Sequence, residues 1–141
     1  MLSLSTLNQL LNMQYLKTII YVDSVEEALD FYYQAFGFAT TALTEAADYG
    51  ELDTGMVTLG FASHPLAQAQ FKQSYIRSHP KQPALGFELC IECENVIESY
   101  DRAVAAGAEP LMPPCHKGEH TQAYVRAIEG TLIALITQSA C

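Results

Sequence analysis

Residues 15–37 read YLKTIIYVDSVEEALDFYYQAFG. The first nine are rich in β-branched and aromatic side chains, which is typical of a buried strand. Ser24 and Glu27 then form the pattern of a capping box, in which the serine oxygen accepts a hydrogen bond from the backbone three residues on. Apolar residues follow at helical spacing up to Gly37, where glycine permits a left-handed stop. The stretch therefore predicts a strand followed by a helix.

Three further strands are predicted directly after this helix. They cover residues 38–45, 49–53 and 56–62, and Thr54-Gly55 supplies a turn between the last two. The predicted unit is therefore βαβββ, and it spans about residues 15–62.

The same order of signals recurs in the second half of the chain. Residues 84–93, ALGFELCIEC, form a predicted strand, and Asn95 with Glu98 repeats the helix start 71 positions after Ser24 and Glu27. Gly107 ends the second helix 70 positions after Gly37. Because start and stop recur in register, we interpret the chain as two tandem copies of one unit, the second spanning about residues 84–138. Its remaining strands are predicted at 108–115, 121–127 and 131–137.

Two segments fall outside the copies. The linker, residues 63–83, contains three prolines, and a short helix is predicted near 67–74. In the N-terminal extension, residues 1–14, Leu4, Leu7 and Leu11 fall at helical spacing, so an added helix fits there. Whether residues 1–12 are native is left open, because Met13 could equally be the start. Residues 15–138 are interpreted as a single domain.

Composition excludes several classes of function. Half of the 141 residues are hydrophobic and 16% are charged, which suits a globular fold, and no apolar run is long enough to cross a bilayer. A net charge of −9 repels nucleic acid. The four cysteines indicate reduced thiols and a cytoplasmic protein, and Cys90 and Cys93 lie within one strand on opposite faces. We therefore expect neither nucleic acid nor membrane as a partner.

The runs VDSVEEALDFYYQAFGF, residues 22–38, and YVRAIEGTLIALIT, residues 124–137, resemble the vicinal oxygen chelate superfamily, which includes glyoxalase I, bleomycin-resistance proteins and extradiol dioxygenases. The resemblance covers about residues 15–138. It implies an α+β fold in which tandem βαβββ units form curved mixed sheets around a cleft, with helices on the convex side. It also implies assembly as a homodimer.

The resemblance further implies where enzymes of this superfamily bind a divalent metal, namely on the first and fourth strands of each unit. The matching positions are Lys17 and Thr58 in the first copy, and Glu88 and Ala134 in the second. A metal ligand must offer a lone pair, and among these residues only the Glu88 carboxylate is a good donor. The ammonium of Lys17 repels a cation. We therefore expect no metal, no cofactor and no catalytic residue at these positions.

Strand alternation predicts which side chains line the cleft instead. For Lys17 and Glu88 we favour a salt bridge between the copies, with a ligand-orienting pair or a basic lysine as the alternatives. Tyr21, Tyr49 and Tyr124 are either pocket residues or part of the core. The predicted ligand-binding residues are Lys17, Ile19, Tyr21, Met56, Thr58, Glu88, Cys90 and Ala134.

One other polar cluster could imitate a metal site. Cys115, His116, Glu119 and His120 surround the predicted turn at Gly118, but their spacing matches no defined metal motif. We favour an ordinary polar turn.

These observations favour a metal-independent small-molecule-binding protein similar to the bleomycin-resistance proteins, which sequesters an apolar or cationic ligand in the cleft. The charge of the ligand is left open, because Lys17 opposes a strongly cationic one. The alternative is a metal-dependent lyase or isomerase of the glyoxalase kind, or a dioxygenase, with an atypical ligand set. A third interpretation is an ancillary protein whose cleft is filled by its own side chains.

Overall fold

The computed structural model describes residues 2–137. The chain alternates strands and helices in the order that the two predicted copies require, with one helix before the first copy and one between the copies. The elements are α1 (Leu4–Leu11), β1 (Lys17–Val22), α2 (Val25–Phe36), β2 (Ala39–Leu43), β3 (Tyr49–Asp53), β4 (Thr58–Ser63), α3 (His64–Gln70), β5 (Glu88–Glu92), α4 (Val96–Ala105), β6 (Glu109–Lys117), β7 (His120–Arg126) and β8 (Leu132–Ile136).

Each copy folds into one four-stranded mixed sheet. The strand order is β1-β4-β3-β2 in the first sheet and β5-β8-β7-β6 in the second. In both sheets the first strand pairs with the fourth in parallel, and the other neighbours are antiparallel. The predicted α+β class with two βαβββ units is therefore confirmed.

The helix starts and stops follow the residues that predicted them. Ser24 Oγ accepts a hydrogen bond from the Glu27 backbone N–H at 3.2 Å, and Asn95 Oδ1 accepts one from Glu98 at 3.0 Å. Gly37 adopts a left-handed conformation with φ of +77°, in which its N–H bonds the carbonyls of the last helical turn. The same kind of N-cap hydrogen bond thus starts the equivalent helix in each copy.

One hydrophobic core joins the copies. It contains both α2 and α4, which pack against each other, together with side chains from one face of each sheet, such as Ile20, Leu59, Ile133 and Leu135. Each sheet therefore buries its helix-covered face in this common core. We call the other face of each sheet, which neither α2 nor α4 covers, its open face.

A buried polar contact also connects the copies. The hydroxyl of Tyr32, on α2, donates to Glu129 Oε1 at 2.8 Å, and the Thr131 N–H donates to Glu129 Oε2 at 3.2 Å. Tyr32 is 0% exposed. Burial raises the pKa of the Glu129 carboxyl despite these donors. This contact was not predicted, because nothing in the sequence periodicity marks it.

The linker helix begins earlier than predicted. α3 starts at His64 because Ser63 Oγ accepts from the Leu66 N–H at 3.2 Å and Pro65 lies in the first turn, where a missing N–H costs no hydrogen bond. In the N-terminal segment, Leu4 and Leu10 of α1 are exposed. No helix within residues 2–137 is long and apolar enough to span a membrane.

Candidate functional site

The strand register fixes how the expected first- and fourth-strand positions meet. Lys17 lies opposite Thr58, as predicted. In the second sheet Glu88 lies opposite Leu132, whereas Ala134 lies opposite Cys90. The counterpart of Thr58 is therefore Leu132, two residues before the predicted Ala134. A leucine side chain is no better a metal donor than an alanine one.

Lys17 forms an ion pair with a residue of its own sheet. Its Nζ lies 2.7 Å from Glu51 Oε2, and the Tyr49 hydroxyl donates to the same oxygen at 2.5 Å. The Tyr49 ring centroid lies 5.1 Å from the ammonium, so a cation–π contact adds to the pair. The predicted bridge between Lys17 and Glu88 is wrong, because Lys17 pairs with Glu51 within the first sheet, whereas Glu88 belongs to the second.

The cluster of Lys17, Tyr49 and Glu51 depends on a glycine in β4. A Cβ added at Gly60 would lie 2.9 Å from the Tyr49 hydroxyl oxygen and 3.4 Å from Ile19 Cγ1. The missing side chain therefore leaves the space in which the Tyr49 hydroxyl lies over β4 and reaches Glu51 of its own strand. Strand alternation could have placed Tyr49 and Glu51 on one face, but it does not indicate that they bind Lys17.

The ion pair keeps both groups charged near neutral pH. The hydrogen bond to Glu51 raises the pKa of Lys17, and the same bond lowers the pKa of Glu51. Partial burial raises the pKa of Tyr49. A lysine held as an ammonium is not a general base, so this cluster offers a fixed dipole and an aromatic ring rather than proton transfer.

The open face of the second sheet carries acid and thiol groups. Partial burial and the neighbouring Glu88 carboxylate raise the pKa of Tyr124 and also that of the Cys90 thiol. Cys90 is exposed, whereas Cys93 lies on the other side of the strand against the core. The two thiols therefore face apart, as the sequence predicted, and neither is activated as a thiolate.

Four of the eight predicted ligand-binding residues come together in one groove. It has a volume of about 670 Å³ and runs between β5, which is an edge strand, and the β3–β4 loop. Met56, Thr58, Glu88 and Cys90 line it. Its other lining residues are Tyr15, Thr18, Tyr32, Phe38, Thr54, Val57, Leu59, Phe87, Leu89, Ile91 and Glu92.

The other four predicted residues lie elsewhere. Lys17 belongs to the ion-pair cluster, and Ala134 is buried within its sheet. Ile19 and Tyr21 line a smaller apolar pocket of about 230 Å³ beside the linker. Met56 itself lies in the loop before β4 rather than on that strand, and it is 98% exposed. The predicted single site is thus divided among four places.

The donor groups do not fit a divalent metal. Within residues 2–137, no three His, Cys, Asp or Glu side chains converge as a metal site requires. His116 Nδ1 pairs with the Thr121 hydroxyl at 2.9 Å, and His120 Nδ1 lies 2.9 Å from the Thr137 carbonyl. Two of the positions expected to supply metal ligands carry the Lys17 ammonium and the Leu132 side chain, and neither can donate a lone pair to a metal.

The chain belongs to the family described as the Glyoxalase/Bleomycin resistance protein/Dioxygenase superfamily, whose sequence profile matches residues 9–135. It matches no curated protein sequence. Membership fixes the fold, while the family name itself spans several kinds of activity.

Solved structures share the fold at low sequence identity. A glyoxalase-related enzyme from Fulvimarina pelagi is 18% identical with a TM-score of 0.72, and the match covers 89% of this chain and 88% of that one. A glyoxalase/bleomycin resistance protein/dioxygenase family enzyme from Burkholderia phytofirmans PsJN is 23% identical with a TM-score of 0.68, covering 86% and 95%. TioX from Micromonospora sp. ML1 is 21% identical with a TM-score of 0.67, covering 89% and 98%.

Proposed function

We propose that this protein binds a small molecule and needs no metal to do so. The proposed ligand has a cationic group on a mainly apolar body, and it is held in the groove beside β5. The observation that carries the proposal is the composition of that groove. Aromatic and aliphatic side chains form its walls, and Glu88 and Glu92 supply two carboxylates. None of the described residues that line it is Lys, Arg or His.

The dimensions of the groove suit such a ligand. Small-molecule sites commonly enclose about 300–1,000 Å³ behind mainly apolar walls with a few polar groups. At about 670 Å³ the groove falls in this range. Tyr15 and Phe87 offer aromatic faces for an organic cation, and the Met56 thioether adapts to different shapes.

The electrostatics of the rest of the chain support the same class of ligand. Lys17, which seemed to oppose a cation, is neutralised by its ion pair with Glu51. The net charge of −9 attracts cations from solution. The carboxylates of the groove then hold the cationic group while the apolar walls bury the remainder.

Isothermal titration against paired compounds tests the proposal. Each pair consists of an aromatic quaternary ammonium compound and its uncharged isostere. The cationic member is expected to bind more tightly, and Glu88→Gln or Glu92→Gln to weaken it about two- to fivefold, the range of one partly exposed charge contact. Glu109→Gln, which removes the same charge outside the groove, is the matched control. Equal binding of both members, or equal loss in the control, would contradict the proposal.

Elemental analysis of the purified protein separates this function from a metal-dependent lyase, isomerase or dioxygenase. The binding protein is expected to carry no stoichiometric zinc, nickel, iron or manganese, and to bind the cation equally well after treatment with a chelator. One equivalent of metal per chain, together with loss of binding on chelation, would favour the enzyme.

We also propose that the chain forms a homodimer. The segment 2–16 contains no charged residue, although the chain as a whole carries −9, and its leucines are exposed on α1. Two such segments can approach without repulsion and bury apolar surface. Sedimentation equilibrium is expected to give a dimer that Leu4→Gln with Leu11→Gln converts to a monomer. A monomeric parent protein would overturn this proposal.

A further inference from the structure

His64 is a buried histidine that the groove does not use. It is 2% exposed and begins α3, directly after β4. Its Nδ1 lies 2.7 Å from the Tyr75 hydroxyl oxygen, and its Nε2 lies 3.3 Å from Asp23 Oδ1 without a well-formed hydrogen bond. Asp23 follows β1, and Tyr75 belongs to the linker. One imidazole therefore holds two segments that are distant in sequence.

The linker segment 71–79 crosses the end of the first sheet, and we call this segment the strap. Near its start, Phe71 and Tyr75 pack on Tyr21 with ring centroids 6.2 and 5.1 Å away. At its far end, Ser78 Oγ donates to the Glu129 carbonyl at 2.9 Å, and Arg126 Nη2 donates to the His79 carbonyl at 2.9 Å. The first fastening is aromatic and the second is made of hydrogen bonds.

The charged and titratable groups around His64 come from each segment packed against it. Asp23, 72% exposed at its side chain, favours the imidazolium, whereas Arg77 of the strap opposes it. Tyr75 is the remaining neighbour with a titratable group. Burial is the largest influence, and with Arg77 it outweighs Asp23, so the pKa of His64 is lowered.

We infer that His64 is a pH-sensitive latch, which fastens the strap across the first sheet when neutral and releases it when protonated. In the neutral form the buried ring needs no counter-charge, and Nδ1 can hydrogen-bond the Tyr75 hydroxyl in either tautomer. In the protonated form Nδ1 can only donate to that hydroxyl, and the buried charge loses its hydration while Asp23, its carboxylate neighbour, is mostly exposed to solvent. Protonation is therefore favoured in the state in which His64 is exposed and the strap is detached.

Release of the strap changes the apolar pocket that lies beneath it. Tyr75 and Ile76 of the strap form one wall of the apolar pocket of about 230 Å³, and Ile19 and Tyr21 form another. Detachment of the strap opens this pocket to solvent. The latch does not depend on the proposed ligand binding, because neither His64 nor Tyr75 lines the groove beside β5.

Limited proteolysis of the full chain tests the latch. Trypsin cleaves after Lys72 and Arg77, which are both exposed in the strap, and a synthetic peptide of residues 68–82 digested in parallel corrects for the pH dependence of the protease. The corrected cleavage rate is expected to rise several-fold from pH 7.5 to 5.5. One linked proton limits the rise to about tenfold per pH unit. A flat rate would overturn the inference.

Two variants make the test specific to His64. In His64→Gln the corrected rate is expected not to change with pH, because the amide does not titrate, and an undiminished rise would overturn the latch. In Asp23→Asn the rise is expected to be larger than in the parent protein, because the carboxylate that favours the buried imidazolium is gone. Asp30→Asn, a matched change on the exposed surface of α2, is expected to behave as the parent. An unchanged rise in Asp23→Asn would contradict the mechanism even if His64→Gln failed to fold.

Discussion

At the scale of single residues, the environment of Lys17 is set by neighbours on two strands, β3 and β4. Glu51 neutralises the ammonium, Tyr49 holds Glu51 and lies against the ammonium, and Gly60 leaves room for the tyrosine ring. The position of Tyr49 in turn depends on Gly60, because the tyrosine hydroxyl occupies the space that a Cβ at position 60 would take. The first sheet thus presents a neutral ion pair rather than a free cation.

Gly60→Ala is expected to lower the free energy of unfolding by about 1–3 kcal/mol, the usual cost of forcing a methyl group into filled space. Denaturant unfolding measures it. Gly86→Ala is the control, because a Cβ there meets nothing within 4 Å, and a stability change within about 0.5 kcal/mol is expected. Adding Tyr49→Phe to Gly60→Ala is expected to recover part of the loss. No recovery would show that the tyrosine hydroxyl is not the obstacle.

Glu129 is expected to make stability depend on pH. Its folded pKa is raised above the ordinary value of 4.5, so the native state holds the proton more tightly than the unfolded chain. The contribution is complete below pH 4.5 and is lost as the pH rises through the folded pKa. The difference in unfolding free energy between the parent and Glu129→Gln should therefore fall with rising pH. A difference that stays constant or increases would contradict the burial of this carboxyl.

At the scale of elements, Arg126 fastens the linker to the second unit at two carbonyls. Arg126 Nε donates to the Gly130 carbonyl at 2.9 Å, while its Nη2 donates to the carbonyls of His79 at 2.9 Å and Gln82 at 2.6 Å. A planar guanidinium can direct donors to several acceptors at once, which a lysine ammonium at the same place cannot do with the same geometry.

Arg126→Lys is expected to destabilise the protein by about 2 kcal/mol, because it removes the charged donor shared by the buried Gly130 carbonyl and the half-buried contacts to His79 and Gln82. Thermal and denaturant unfolding both measure this loss. Arg102→Lys is the matched control, since Arg102 is exposed and its Nε donates a hydrogen bond of 2.8 Å to the Gln34 carbonyl. A loss below about 1 kcal/mol is expected there. Equal losses would show that Arg126 does not hold the linker in a special way.

The helix caps give a second prediction at this scale. Ser24→Ala removes the acceptor for the Glu27 N–H and is expected to cost about 1 kcal/mol, whereas Ser24→Asn keeps a side-chain acceptor and should cost much less. Urea unfolding of the two variants distinguishes these outcomes. Equal losses for alanine and asparagine would indicate that the cap contributes little to α2.

At the scale of the whole molecule, charge and packing act together. The net charge of −9 creates a field that attracts cations, while the contact between α2 and α4 joins the two units. The overall charge is therefore expected to attract the proposed cationic ligand toward the groove beside β5.

Salt is expected to weaken cation binding in this groove. Raising the ionic strength from about 0.01 M to about 0.15 M shortens the screening length from about 30 Å to about 8 Å, so the distant charges cease to contribute. The dissociation constant of a quaternary ammonium ligand should rise several-fold, and that of its uncharged isostere should not. Titration calorimetry at both ionic strengths measures this, and equal salt dependence would contradict an electrostatic contribution.

Some local features could be predicted because neighbouring residues encode them. The capping oxygens of Ser24 and Asn95 lie three residues before the N–H groups that they bind, and the turn at Gly37 needs only the absence of a Cβ. The alternation of β1 likewise placed Ile20 in the core. The start of α3 at His64 was not predicted. The predicted helix near 67–74 rested on composition and did not take Ser63 into account as an N-cap.

The sequence by itself determined two βαβββ units, their helix boundaries and the face of each strand that packs beneath the helices. Capping and alternation depend on residues a few positions apart, so the structure that they specify does not require contact between the units. Only the tertiary structure decided that Lys17 binds Glu51 and not Glu88, that Leu132 faces Glu88, and that the groove forms at β5. These partners are brought together by strand pairing and by the contact of α2 with α4, and no local spacing specifies such contacts.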